Sequence, residues 1–560
     1  MVEKLVGFLN KEIKGLHEAA YLLAFFTLTS QFLGLIRDRL LASTFGASEI
    51  LDVYYASFRI PDFLFVLMTS FISASVLVPV LSKNLNNQIE LKKIIDSLFS
   101  FFILIAIFVS ILIFIFIPKI LQLIMPNLIN GQNSLDLILF SRILLLSPII
   151  LGMSQLFGSI VQSYRKFFIY AISPIFYNLG IILGVIVFYP MFGNIGLIYG
   201  VVVGLLLHLI VQIPTIIKQK LSPKITFKIE WSIIKEVVFI SLPRAITLAS
   251  TQLILLILVA IASTLSIGSI AIFNFSYNLQ SVPMAIIGVS YSMAAFPTLS
   301  RLFSNGNKQE FLSHLIIAAR HIIFWSFPVV IMFIVLRAQI VRTILGSGQF
   351  DWAATRLTAA ALAVFAISVV AQSLTLLFVR GYYSAGQTKK PLFINIFSAA
   401  TTIFLVFIFI NLFQNNALFQ DFFEILLRVD DLSGTIVLML PLAFSVGMIL
   451  NTILLWISFE KDFKGFSATL GRTFRESLFA SVVAGYVSYL CLQLLANFLN
   501  LNTLLGIFSQ GLFSGLIGIF VGWLVLHTIK NNETIEITKA LKNRFWKTKD
   551  LIVDPEEISG

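Results

Sequence analysis

Between Asp96 and Lys119 the chain runs for 22 residues, SLFSFFILIAIFVSILIFIFIP, without one charge. As a helix this crosses the ~30 Å hydrocarbon core of a bilayer, and an α-helix satisfies every backbone amide within the segment. Runs of this kind recur almost end to end. A threshold of roughly 20 mostly apolar residues places spans near 19–43, 53–81, 94–118, 135–163, 169–189, 194–217, 237–262, 268–299, 312–336, 354–379, 391–413, 433–459, 477–498 and 503–529. The expected fold is therefore an all-α polytopic integral membrane protein with about fourteen spans. Composition agrees, with 58% hydrophobic and 12% charged residues, against about 25% charged in soluble domains.

An even span number puts both termini on one side. Assigning the N-terminus and every second connection to the cytoplasm collects 28 of the 39 lysines and arginines there, leaving seven opposite and four (Arg59, Arg142, Arg244 and Arg320) within spans. The positive-inside bias then predicts cytoplasmic termini. It also accounts for the net charge of +12 without nucleic acid. Residues 1–18 alternate charges with apolar positions, as in a helix lying on the membrane surface. Cys491 is alone and the five histidines are scattered, so neither an internal disulfide nor a cysteine or histidine metal centre is expected. No cofactor is implied, and no G-x-x-x-x-G-K-[S/T] pattern exists to hold ATP. A transmembrane potential, worth about 2.3 kcal/mol per charge per 100 mV, is a plausible driver.

The second span ends LVPVLSKNLNNQIE (77–90) and the eighth AFPTLSRLFSNGNKQE (295–310). A weaker echo links QSYRKFF (162–168) with SAGQTKKPLF (384–393). In each case the partners lie six spans apart, so the two units share one orientation, a transporter pattern with the substrate site between the halves. The partition is a surface segment 1–18, an N-lobe 19–217, a linker 218–236, a C-lobe 237–459, two further spans 460–529 and a basic tail 530–560. Proline helix ends at Pro79 and Pro297 are expected to be related by a near-twofold axis along the membrane normal.

Helical spacing groups the polar residues. Thr27, Gln31, Gly34 and Asp38 share one face of the first span, flanked by Ser30 and Arg37. Arg59, Asp62, Thr69 and Ser73 align in the second, Arg244, Thr247 and Thr251 in the seventh, and Asn274, Asn278 and Ser281 in the eighth. Such residues also serve as glue between membrane helices, and Arg59 with Asp62 fits a local ion pair. The sharper reading is a central cavity lined by spans 1, 2, 7 and 8, on which Arg37, Arg39, Arg59 and Arg244 converge and where Asp38 holds one of them. Charges at that depth are costly outside a polar cavity, and guanidinium forks suit a phosphate. Arg142 and Arg320, nearer their span starts, read as structural. The ligand expected is an anionic, phosphorylated lipid.

SQFLGLIRD (30–38), FGA (45–47), Asp52, ASFRIPD (56–62), VPVLS (78–82), PTLSR (297–301) and GYYSAGQTKKP (381–391) together resemble the MurJ (MviN) family of lipid II flippases. The resemblance implies the multidrug/oligosaccharidyl-lipid/polysaccharide exporter fold and alternating-access movement of lipid-linked peptidoglycan precursor from inner to outer leaflet of the bacterial inner membrane. It implies cavity roles for Arg37 and Asp38 and a gate role for Asp52. It also implies membrane lipids, and other cell-wall synthesis proteins, as partners. The chain departs from the family at Gln31, Phe65, Val66, Tyr277, Asn278 and Ser281, where charged or motif residues are usual. Some members bind sodium through acids in spans seven and eleven. Here span seven has none after Glu236 and span eleven none at all, so no such site is expected.

Three other functions fit parts of the pattern. One is an exporter of another undecaprenyl-pyrophosphate-linked glycan, or of amphipathic drugs, on the same fold. A second is an intramembrane glycosyltransferase, whose base would have to be Asp38, Asp52 or Asp62. A third is an inert scaffold for wall synthesis. The chain reads as a transporter rather than an enzyme.

Overall fold

A computed structural model describes residues 16–72, 77, 81, 87–164 and 166–538. The surface segment 1–15, Pro79 with most of its Ser-basic turn, and the tail beyond 538 lie outside the described residues. Of the two prolines in the twofold expectation, only Pro297, inside a helix, falls among the described residues.

Every regular element among the described residues is helical. The first lobe contains α1 (Leu16–Phe45), α2 (Glu49–Ser57), α3 (Arg59–Thr69), α4 (Gln88–Ile124), α5 (Ser134–Ser163), α6 (Phe167–Phe192) and α7 (Asn194–Lys218). The second contains α8 (Trp231–Ala262), α9 (Ser269–Ser304), α10 (Lys308–Val335), α11 (Arg337–Ile344), α12 (Trp352–Ala366), α13 (Val369–Ser384), α14 (Lys389–Asn415), α15 (Ala417–Leu427) and α16 (Thr435–Asp462). The C-terminal pair α17 (Ser467–Leu495) and α18 (Leu504–Thr528) packs against α10.

Eleven of these are long and apolar enough to cross a membrane, or twelve if α12 and α13, bent by 43° at their junction, count as one. That falls short of the fourteen expected from the sequence. The shortfall lies in the first two segments. The described part of α1 carries Arg37, Asp38 and Arg39, and the second segment is broken at Phe58 into the short helices α2 and α3.

Local chemistry sets the helix ends and kinks. Asn87 caps α4 by accepting from the Glu90 amide at 3.2 Å, and Asp351 caps α12 from the Ala354 amide at 2.7 Å. In α9 a π-helical stretch, Met284–Val289, follows Pro283 directly, whose missing N–H interrupts the regular ladder. Between α6 and α7, Gly180 lies against Gly204 and Gly184 against Gly200. A Cβ on any of them would run into the other backbone, the close approach that small residues permit in membranes.

The apolar core shows how the lobes meet. Near one end, residues of both merge into one cluster, from Leu41, Leu51 and Val53 to Val259, Phe273 and Phe365. Toward the other, each lobe has its own, around Leu98 and Phe157 in the first and Leu315 and Phe378 in the second. The lobes are fused at the first end, called here the closed end. At the opposite end the connecting strap lies along the start of α4. The Lys224 and Thr226 amides donate to Asp96 and Ser100 at 2.8 Å each, and the Glu230 amide donates to Ser97 at 3.2 Å.

Arg320 and Arg142 hold structure together. Arg320 Nε donates to Glu533 at 2.6 Å, as does Thr473 Oγ1 at 2.8 Å, pinning the chain after α18 to α10 and α17. Arg142 lies over the Phe114 ring at 4.7 Å.

Candidate substrate site at the seam between the lobes

At the closed end three glycine-bearing turns interlock. Gly46, Gly268 and Gly348 have φ of +64°, +86° and +61°, a region open to glycine at little cost. A Cβ on Gly46 would stand 2.5 Å from the Gln349 carbonyl, and one on Gly268 2.5 Å from that of Ala47. The Gln349 amide donates to the Ser43 carbonyl at 2.9 Å. Beside this contact Asp52, buried on α2, reaches the start of α9. Its carboxylate accepts from the amides of Gly268 at 2.6 Å and Ala271 at 2.8 Å. A helix N-terminus presents free N–H groups and positive partial charge, so it suits a carboxylate from the other lobe.

Next to the closed end the polar stripes face one another. Arg37 gives Asp38 a forked contact, Nε at 2.9 Å and Nη2 at 2.8 Å on the same oxygen, and its Nη1 donates to Asn178 at 3.2 Å. Asn178, on α6, turns its amide to the Ser30 hydroxyl at 3.2 Å. The other oxygen of Asp38 accepts from Asn278 of α9 at 3.0 Å, across the lobes. Arg59 donates to Asn274 one turn away on α9, a second crossing. Its Nε is buried without a partner, and Asp62, one turn further along α3, closes no ion pair within 4 Å among the described residues. Gln31 makes no hydrogen bond among them.

The seam therefore joins Arg37, Asp38, Ser30, Arg59 and Asn278 in one polar group, with Asp62 beside Arg59 and Asp52 at its rim. Two expected members do not join it. Arg39 donates from Nη1 to the carbonyls of Thr343 at 2.6 Å and Ile344 at 3.3 Å, at the end of α11. Two residues along a helix are about 200° apart, so Arg39 points away from the face Arg37 uses and ties the lobes instead. Arg244 stays in the second lobe, with its guanidinium over the Tyr383 ring at 5.1 Å, an aromatic face that attracts the cation. Convergence of four arginines is thus replaced by a pair.

Asn178 is the residue that reading the sequence missed. Its one signal is a strongly polar side chain in the apolar stretch after Pro174; its partners lie 141 and 148 positions away.

Seven hydrogen bonds cross between the lobes among the described residues, all within this seam and the closed end beside it. At a net ~1 kcal/mol each, they sum to the same order as the ~5.5 kcal/mol that swings a two-state equilibrium from 1:99 to 99:1. A ligand that recruits the same donors can compete for them.

Comparison with known proteins places the chain. The family model described as "Lipid II flippase MurJ" matches residues 41–420. A protein of Thermotoga maritima described as a probable lipid II flippase MurJ is 26% identical over 518 residues, covering 92% of this chain and 96% of that protein. The lipid II flippase MurJ of Burkholderia cenocepacia is 24% identical over 445 residues, covering 78% and 82%. Among solved structures, "Lipid II flippase MurJ, inward closed conformation" superposes with a TM-score of 0.72 at 21% identity, covering 91% of this chain and all of that one. An inward-facing multidrug transporter of the MATE family aligns with a TM-score of 0.61 at 14% identity, covering 80% and 99%. The fold is that of these transporters, and the chain belongs to the MurJ family of lipid II flippases.

Proposed function

We propose that this chain moves lipid II from the inner to the outer leaflet of a bacterial inner membrane by alternating access, with the closed end outward and both termini in the cytoplasm. The observation that carries this is the seam: two half-buried arginines, Arg37 held by Asp38 and Arg59 held by Asn274, where the Asp38–Asn278 and Arg59–Asn274 bonds between the lobes must open for substrate to pass. Guanidinium forks match a pyrophosphate. In the closed seam Asp38 and Asn274 stand where phosphate oxygens would accept. As the lobes part, those donors turn from protein acceptors to substrate. The departure at Asn278 fits the same scheme, because a neutral amide donates to Asp38 where a charged pair is usual in the family. Depletion of the protein should leave lipid II in the inner leaflet in a leaflet-specific assay. Undiminished outer-leaflet lipid II after depletion would sink the proposal, and another lipid-linked glycan accumulating instead would reassign the cargo.

Orientation has its own test. Cysteines introduced in the 218–235 strap should resist an impermeant thiol reagent in intact cells, whereas cysteines at 417–430 should react. The reverse pattern would turn the gate inward and end the scheme.

A further inference from the structure

Away from the seam, on the flank of the second lobe, a cavity of about 730 Å³ opens between α10, α12, the end of α15 and α17. That is within the range of small-molecule sites, roughly 300–1,000 Å³. Its rim carries three arginines of unequal standing. Arg356 is neutralised by both oxygens of Asp431, each at 2.6 Å. Arg337 spends its donors on two long contacts, to the carbonyls of Ile334 and Leu427 at 3.3 Å each. Among the described residues the Arg428 side chain reaches only the Tyr489 hydroxyl, at 3.5 Å. Neither Arg337 nor Arg428 has a carboxylate within 4 Å among the described residues. Arg428 ends α15 in the left-handed region at φ +60°, a common way for a helix to stop.

Beyond the arginines the lining is mixed, with Gln339, Gln493 and Gln510 on one part and an apolar wall on another. Val482 and Tyr486 of α17 and Leu426 of α15 line the cavity and remain exposed. On α15, Leu418, Phe422 and Ile425 continue that exposed surface, while Glu424 turns inward onto Thr435 at 2.6 Å. A short helix with such a face suits a membrane interface. Two uncompensated guanidinium groups beside an apolar wall at interface depth complement one kind of molecule, an amphiphile with an anionic head.

We propose that this cavity holds the phosphate head of an anionic membrane phospholipid between Arg337 and Arg428, with its acyl chains laid along α15 and α17. The site is separate from the seam and does not depend on what the seam carries. Trp352 lines the cavity and is exposed, so it reports occupancy. With the other five of the six tryptophans replaced by phenylalanine, the full chain is reconstituted in phosphatidylcholine vesicles containing brominated phosphatidylglycerol or brominated phosphatidylcholine. Trp352 should be quenched by the anionic lipid at a mole fraction on the order of tenfold lower, as one charge-assisted contact gives. R337Q/R428Q should bring that quenching to the phosphatidylcholine level, and R337K/R428K should retain much of the preference. Should R337Q/R428Q fail to fold, R428Q alone decides, since it removes a single long hydrogen bond. Equal quenching by the two lipids in the parent chain, or an anionic preference that survives R428Q, overturns the proposal. So does its abolition by excess inorganic phosphate, which would mark a free-anion site.

Discussion

A disulfide between cysteines placed at Ser43 and Gln349, in a chain with Cys491 changed to serine, will stop transport, and reductant will restore it. The two backbones already touch there. The Gln349 amide bonds the Ser43 carbonyl at 2.9 Å, and a Cβ on Gly348 would lie 3.0 Å from the Ser43 Cα. That proximity suits the 4.4–6.8 Å Cα separation of a disulfide. A covalent bond cannot be exchanged for water or substrate as the seven seam hydrogen bonds can, so the closed end would be unable to open. Transport should fall to background when the pair is oxidised, and recovery on reduction separates a locked gate from a misfolded protein. Full transport with the cross-link formed in nearly every molecule would show that substrate leaves by another route. The same geometry makes Gly348→Val severe. A branched side chain at φ +61° costs on the order of 1–2 kcal/mol for backbone alone, and it also meets the Ser43 main chain. That variant should weaken the seal, so the closed end should become more accessible to an impermeant reagent while transport falls.

Different parts of this molecule were legible in the sequence to different degrees, for physical reasons. Most spans were readable because lipid imposes one solution on the backbone, and runs such as 97–118 carry that demand openly. The first two were harder, since function has placed charges in α1 and a break at Phe58 between α2 and α3. Within the seam, Asp38 and Arg37 were readable as neighbours, and Asn278 as part of a stripe with Asn274. What spacing along one helix cannot give is the partner on another, which is why Asn178 was invisible. Arg39 shows the opposite error. Its 200° offset from Arg37 was available in the sequence, and weighing it would have excluded a shared face. Arg244 had the right periodicity with Thr247 and Thr251, but a polar stripe does not say whether it meets a cavity or a ring such as Tyr383.

The largest single-residue effect should come from the Arg37–Asp38 pair. Asp38 is 3% exposed and both its oxygens are engaged, one by Arg37 and one by Asn278 across the lobes. Arg37→Ala strips a buried carboxylate of its cation, a loss that costs roughly 3–5 kcal/mol where it is not relieved by protonation or water. It also removes the fork that would meet a phosphate. Transport should fall by on the order of a hundredfold or more, since 1.4 kcal/mol is a factor of ten. Arg37→Lys keeps the charge but not the planar fork. A single ammonium has to serve Asp38 and Asn178 from a different geometry, so a smaller drop of roughly tenfold is expected, the worth of one or two polar contacts. Asp38→Asn should be milder than Arg37→Ala. The new amide can keep its oxygen toward the Arg37 guanidinium, and Asn278 can turn its own carbonyl oxygen to the new N–H, so the seam loses a charge rather than a bond. The double variant Arg37→Ala with Asp38→Asn should be no worse than Arg37→Ala alone, because the unpaired charge is gone while the fork is already lost. Membrane insertion and thermal stability, measured alongside, separate a failed clamp from a failed fold. If Arg37→Ala inserts normally and still moves lipid II at the parent rate, the arginine is not a phosphate clamp, and the polar residues of the seam are packing between helices.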